Sequence, residues 1–253
     1  MNFEKIKTIW TKIRKPALTA LIIVASIISI LIISCGLYLN DQYETDKAAV
    51  NAYLGDKPLP KQYSDGSLRI IPENATSAII FYPGGKVQYT AYIPLMQALA
   101  DRGMMSVLVK MPFNLAVLDV NAADGIMEEY PNIDNWYIGG HSLGGSMAAS
   151  YLSDNATGFD GLVLLGAYST TDISALEVDV LSIFGSEDGV MNRTKYEECK
   201  SNLPESFEEL VIEGGSHAYF GMYGEQDGDG AAKITRDEQI SITADAIFAL
   251  TEK

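Results

Sequence analysis

At 253 residues the chain has room for one medium domain plus an appendage, and its two histidines and two cysteines exclude a zinc cluster or a disulfide framework. The formal net charge is −15. Residues 1–15 hold five basic groups and one acidic one, so the remainder stands at −19, which excludes nucleic acid as a partner.

Residues 17–39 form an apolar run without a charge, after Lys5, Lys7, Lys12, Arg14 and Lys15 and before Asp41, Glu44 and Asp46. As a helix it would be about 34 Å long, against a bilayer core of roughly 30 Å. It is expected to be a transmembrane signal anchor behind a basic cytoplasmic N-terminus at 1–16. That attaches the protein to a bacterial cell membrane through its N-terminal helix, single-pass, with the rest extracytoplasmic. Ile32-Ile33-Ser34-Cys35-Gly36 also has the form of a lipoprotein signal, with Cys35 as a lipidated anchor; an ordinary cleaved signal peptide is a third possibility. Cys199 lies in a polar segment and does not pair with Cys35.

Residues 41–53 read as a helical stalk, and 54–65, rich in Gly, Pro, Lys and Asp, as a connection. Stalk and connection together occupy 40–65, and 66–253 is the domain proper. From there strand-like and helix-like segments alternate. Strands are expected at 67–71 (an edge), 78–82, 105–109, 135–138, 161–165, 180–184 and 208–212. Helices are expected at 92–102, 116–130, 143–153, 193–201 and 235–250. This alternation is the signature of an α/β fold with a mostly parallel central sheet covered by helices. No segment is long enough for a large lid domain; the longest insertion is a loop at 168–176.

Gly140-His141-Ser142-Leu143-Gly144 lies between the apolar run Trp136-Tyr137-Ile138 and a small-residue helical segment. That is the strand–turn–helix setting of a nucleophile elbow, with Ser142 on the turn. The orienting acid comes next in chain order. Asp188, in the tight Gly185-Ser186-Glu187-Asp188-Gly189 loop after a strand, is preferred over Glu187, Asp160 and Asp172, because catalytic groups collect at the C-terminal edge of open sheets. The base is nearly forced. His141 sits beside the nucleophile with its side chain expected to point elsewhere, whereas His217 follows the last strand. The order Ser142, Asp188, His217 is that of a Ser-Asp-His triad on an α/β sheet. The oxyanion hole is assigned to the backbone N–H of Leu143 and to the Pro83-Gly84-Gly85-Lys86-Val87 turn, with Lys86 favoured over Val87. No phosphate-binding fingerprint is present. Asp227-Gly228-Asp229-Gly230 lacks the pattern of a calcium loop, so no cofactor or metal is expected.

The segments Phe81-Tyr82-Pro83-Gly84-Gly85-Lys86-Val87, 110–116, Gly139-Gly140-His141-Ser142-Leu143-Gly144-Gly145 and Glu213-Gly214-Gly215-Ser216-His217-Ala218 resemble bacterial alpha/beta-hydrolase family 5, as do the Phe220-Gly221 and Gly228-Asp229-Gly230 stretches. Ser216 stands where related sequences usually carry Asn. The wider fold resembles dienelactone hydrolases, carboxylesterases and small lipases. The resemblance implies an alpha/beta-hydrolase fold and a serine hydrolase, most simply a carboxylesterase acting on small-molecule esters. Peptidase, amidase, thioesterase or acyltransferase chemistry on the same triad, or a non-catalytic tethered binding protein, are the alternatives. Phe113, Tyr168 and Phe220 are the expected pocket residues.

Overall fold

The computed structural model describes residues 3–252, with side chains described for 18–34, 36, 39 and 41–252. The chain forms two compact units, Met1–Asp41 and Gln42–Lys253.

The first unit contains helix α1 (Phe3–Asn40), on which Leu18, Leu21, Ile27 and Ile32 are at least half exposed. Among the described residues no helix is long and apolar enough to cross a membrane. This overturns the transmembrane signal anchor at 17–39, membrane attachment through the N-terminal helix, and the single-pass location with an extracytoplasmic remainder. The basic flank at 1–16 and the Cys35 side chain lie outside the described side chains.

The second unit is built on an eight-stranded sheet: β1 (Lys61–Gln62), β2 (Leu68–Ile70), β3 (Ser77–Tyr82), β4 (Met105–Leu108), β5 (Asn135–His141), β6 (Gly161–Leu165), β7 (Asp179–Gly185) and β8 (Glu208–Ile212). Their spatial order is β1-β2-β4-β3-β5-β6-β7-β8. The β1–β2 and β2–β4 pairs are antiparallel, and every later pair is parallel. A parallel sheet needs cover on both faces, so its strands are apolar at successive positions rather than at alternate ones. β3 shows this, with all six residues buried. Ile79 and Phe81 enter one core with Leu95, Leu99, Ile240 and Ile247, from helices α3 (Ile93–Ala100) and α6 (Arg236–Leu250), the latter following the short helix α5 (Arg193–Cys199) in the chain. Ile80 and Tyr82 enter the other with Ala148 and Leu152 of helix α4 (Leu143–Asp154). The period-2 alternation of β3 thus serves two layers at once.

After β3 the chain runs outward to β4, then crosses back to β5 on the other side of β3. The segments leaving β3 and β5 therefore diverge and open a crevice at the C-terminal edge of the sheet. The Gly84-Gly85 turn and Ser142 flank that crevice.

Three elements differ from expectation. The strand at 67–71 is not an edge, because β1, too short to be read from sequence, pairs outside it. Residues 116–130 form short 3-10 turns at Ala116–Leu118 and Met127–Glu129, not a helix. Asp119, Asn121, Asp124 and Gly125 favour turns over helix interiors, and Gly125 adopts φ +75°. The stretch read as a stalk packs onto the sheet unit: helix α2 (Lys47–Leu54) buries Val50 and Leu54 in the α3–α6 core. Just before it, Tyr43 donates its N–H to the Lys86 carbonyl at 2.7 Å and accepts from the Gln88 N–H at 3.0 Å.

Candidate active site

β5 ends in the elbow. Ser142 adopts φ +53° and ψ −122°, a strained conformation for a residue with a side chain. Such a residue costs about 1–3 kcal/mol and persists only where its surroundings over-determine it. Here the Ser142 N–H donates to the Leu165 carbonyl at 2.9 Å, and its own carbonyl accepts from the Ser146 N–H at 3.2 Å. The flanking glycines are required by space. A Cβ on Gly144 would lie 2.3 Å from the Tyr82 and Pro83 carbonyl oxygens, and one on Gly140 would lie 2.6 Å from the Tyr82 oxygen. Ser142 is left half-buried at the head of α4.

Asp188 and His217 come from the loops after β7 and β8. The His217 Nδ1–H donates to Asp188 Oδ2 at 2.8 Å, with the two side chains 1% and 0% exposed. Asp188 Oδ1 accepts from the N–H groups of Val190 at 3.0 Å and Met191 at 2.9 Å. Burial pushes the Asp188 carboxyl up. The His217 ring and the two backbone donors outweigh it and hold the group below its ordinary value. The acid is therefore ionised at neutral pH. Its bond to Nδ1 assigns the ring tautomer, which leaves Nε2 as a lone-pair acceptor. That Nε2 is buried and has no hydrogen-bond partner among the described residues.

Gly166, just beyond β6, closes the dyad from below. It adopts φ +51°, and a Cβ there would lie 2.9 Å from His217 Nδ1 and 3.1 Å from Asp188 Oδ2. Sequence reasoning did not single it out, although a glycine directly after the apolar run Leu162-Val163-Leu164-Leu165 was the available signal. The other candidate acids lie away from the ring. Glu187 pairs with Lys233 at 2.7 Å, Asp160 accepts the Trp136 N–H at 2.7 Å, and Asp172 bonds Ser174.

The turn expected to supply an oxyanion donor differs from expectation at Lys86. Lys86, at φ +63°, already donates its N–H to the Asn114 carbonyl at 2.8 Å, and Val87 donates to the Gly84 carbonyl at 3.2 Å. Both N–H groups are engaged within the chain, which corrects the choice of Lys86. The preceding Gly85 N–H has no acceptor among the described residues. A Cβ on Gly85 would sit 3.0 Å from Leu143 Cδ2, so the turn lies against the start of α4. Leu143 is the first residue of that helix, where an N–H has no intrahelical acceptor.

His141 is fully buried. Its ring centroid lies 4.4 Å from that of His217 and 5.4 Å from that of Phe220. Burial first, and then repulsion by a charged His217, hold it well below the ordinary histidine range, so it is neutral; its interaction with the His217 backbone pulls weakly the other way. Burial raises the Tyr92 phenol and keeps it protonated. Tyr92 Oη accepts from the Gly84 N–H at 3.1 Å and donates to His141 Nδ1 at 2.8 Å. The turn that carries Gly85 is thus tied to the ring that packs, tilted, against His217.

Ser216, just before His217, is held by a buried amide. Gln239 Oε1 accepts its N–H at 3.0 Å, and Gln239 Nε2 donates to its carbonyl at 2.8 Å. The three expected pocket residues are not brought together. Phe113 is 63% exposed at φ +51°, Tyr168 packs beside Phe184, Met191 and Tyr196, and Phe220 is fully buried and belongs to the core. A cavity of about 360 Å³ lined by Asn135, Tyr137, Asp160 and Asp179 lies at the N-terminal edge of the parallel strands, opposite Ser142.

The model of the alpha/beta hydrolase family matches residues 78–241. No curated protein matches the chain. Among solved structures, a soluble variant of monoglyceride lipase from Saccharomyces cerevisiae is similar at TM-score 0.59 and 12% identity, covering 78% of this chain and 96% of that one. Est1E from Butyrivibrio proteoclasticus, solved with ferulic acid bound, is similar at TM-score 0.57 and 11% identity, covering 74% and 95%. Dienelactone hydrolase from Anabaena variabilis is similar at TM-score 0.55 and 16% identity, covering 77% and 98%. At these identities the likeness is one of fold.

Proposed function

The chain belongs to the alpha/beta hydrolase family, and from that premise we propose that this hydrolase is a serine carboxylesterase acting on small or medium carboxylic esters. Ser142 is the nucleophile, His217 the base, Asp188 the orienting acid, and the N–H groups of Gly85 and Leu143 the oxyanion donors. The observation that carries the reading is the buried Asp188–His217 pair, whose second ring nitrogen has no hydrogen-bond partner among the described residues. A histidine in that state is prepared to take a proton from a hydroxyl.

His217 Nε2 removes the Ser142 hydroxyl proton as Oγ attacks the ester carbonyl carbon. The Asp188 carboxylate stabilises the imidazolium that forms. The carbonyl oxygen gains negative charge and is held by the two N–H donors, which need no reorganisation because the turn and the helix start already fix them. The imidazolium returns its proton to the leaving alkoxide, and the acyl group remains on Ser142. Water, deprotonated by the same nitrogen, then adds to the acyl carbon; the bond to Ser142 Oγ breaks, the imidazolium returns its proton to Oγ, and the carboxylic acid leaves.

A panel of acyl esters, thioesters and amides tests the reading. The wild-type chain is expected to hydrolyse esters, and Ser142→Ala is expected to lower kcat by about 10⁴-fold or more. Unchanged turnover in that variant contradicts the assignment. Preference for thioesters or amides moves the substrate class and leaves the nucleophile in place.

A further inference from the structure

Asp229 lies in the Gly228-Asp229-Gly230 turn and touches none of the proposed reacting atoms, yet its carboxylate accepts four backbone N–H groups. Oδ1 takes those of Gly189 at 3.2 Å, His217 at 3.1 Å and Gly230 at 3.0 Å, and Oδ2 takes that of Ala218 at 2.8 Å. Gly189 directly follows Asp188, and Ala218 directly follows His217. One side chain therefore joins the loop of the acid to the backbone of the base. The approach depends on bare backbone. A Cβ on Gly189 would lie 2.4 Å from the Gly228 carbonyl oxygen, and one on Gly230 would lie 2.0 Å from the Glu187 carbonyl oxygen.

Other bonds tie the same loops at earlier points. Glu187 donates its N–H to the Gly215 carbonyl at 2.9 Å, and Gly214 donates to Ser186 Oγ at 2.8 Å. These fix the loops upstream of the dyad. Asp229 holds them at and just past it, with an ionised acceptor whose bonds are roughly twice as strong as neutral ones. Its oxygens face N–H donors, whose positive ends repel a cation, and among the described residues no cluster of His, Cys, Asp or Glu could hold a metal ion. The acidic turn is thus accounted for by the loops it joins.

We propose that Asp229 is the positioning residue of the dyad: it sets where the His217 ring stands relative to Asp188, and so where Nε2 is aimed. The inference rests on the serine-hydrolase reading above. A base displaced by about 1 Å costs on the order of 10²-fold in rate while leaving substrate binding intact.

The test compares three full-length proteins: wild type, Asp229→Asn and Asp65→Asn. Asp65 is a control, since it accepts backbone and hydroxyl bonds from Ser67 and pairs with Arg69, and these bonds join none of the loops that carry Asp188 and His217. Each is assayed for kcat and KM, and for the rate and end-point of phosphonylation by a fluorophosphonate. Asp229→Asn is expected to lower kcat about ten- to a hundredfold with KM within about twofold. Its per-site phosphonylation rate is expected to fall in parallel, with an end-point of one label per chain. Asp65→Asn is expected to lose stability and keep kcat. Wild-type rates in Asp229→Asn overturn the inference, and so does a lower end-point with an unchanged per-site rate, which marks a merely structural role. If Asp229→Asn does not fold, Asp229→Glu, which keeps the charge and shifts it by one methylene, is measured by the same criteria. A folded wild type that does not label overturns the serine-hydrolase reading together with this inference, whereas a wild type that labels confines failure to Asp229.

Discussion

The two halves of the crevice are built from different materials. On the β7–β8 side the proposed chemistry sits on side chains: a carboxylate, an imidazole, and a second carboxylate behind them. On the β3–β5 side it sits on main-chain N–H groups, placed by a turn, a helix start and a buried Tyr92–His141 pair. Side chains announce themselves in a sequence, whereas a backbone donor is chosen by where the rest of the fold draws its neighbours. This is why the Asp188–His217 pair was readable from order and spacing, while the Lys86 N–H chosen in the turn proves to be engaged within the chain. Nothing local to Lys86 shows that its N–H will meet the Asn114 carbonyl, which belongs to a loop 28 positions away.

The most severe test of the contrast is Gly166→Ala. It places a methyl against both members of the dyad and forces a side chain onto a left-handed backbone. Activity is expected to fall about 10²-fold, in kcat rather than KM, because the base is displaced and the substrate contacts are not. Near-wild-type kcat would mean that the dyad tolerates movement and that its close packing is incidental.

Tyr92→Phe probes the other half. It removes one hydroxyl and strands two buried partners, the Gly84 N–H and His141 Nδ1. The expected loss of stability is about 1–3 kcal/mol, the cost of leaving such groups unsatisfied. Denaturant unfolding measures it directly. A fall in kcat of about tenfold would accompany it if the Gly85 donor shifts with the turn. A stable variant with full activity would show that the turn is held by its own backbone bonds alone.

A smaller effect concerns pH. His141 is neutral and buried, with its folded pKa held well below 6.5. Between those two values the unfolded chain binds the extra proton, so stability is complete above about pH 6.5 and is lost as pH falls below it. Unfolding midpoints are expected to decline from pH 8 to pH 5, and His141→Gln is expected to flatten that decline. An equal slope in the variant would assign the acid sensitivity to other groups. Asp188 acts in a lower window. Its depressed carboxyl gives stability above the unfolded carboxylate range, and that stability is lost as pH falls through the folded value.

The parallel sheet and its covering helices were legible because five strands, β3 to β7, carry largely apolar runs separated by helical periodicity. The segment at 116–130 misled, since Ala116, Val117, Leu118, Val120, Ala122 and Ala123 suggest a helix. Its Asp, Asn and Gly residues instead turn the chain, and Tyr82 Oη pins that turn by donating to the Val120 carbonyl and accepting the Ala123 N–H. Phe220 was read as a pocket wall because its family-like segment follows a strand at the C-terminal edge of the sheet. Its burial beside His141 is a tertiary fact with no local signature. Asp229 was visible as part of an acidic glycine-rich turn, but four donors from three separate stretches define its role, and no spacing rule connects them.

The most direct test of the central claim is fluorophosphonate labelling of the folded full-length chain, followed by mass analysis of the digested peptides. The account expects one adduct per chain, on the peptide containing Ser142, and none in Ser142→Ala. A folded chain that takes no label, or one that carries it on a different serine, would contradict it.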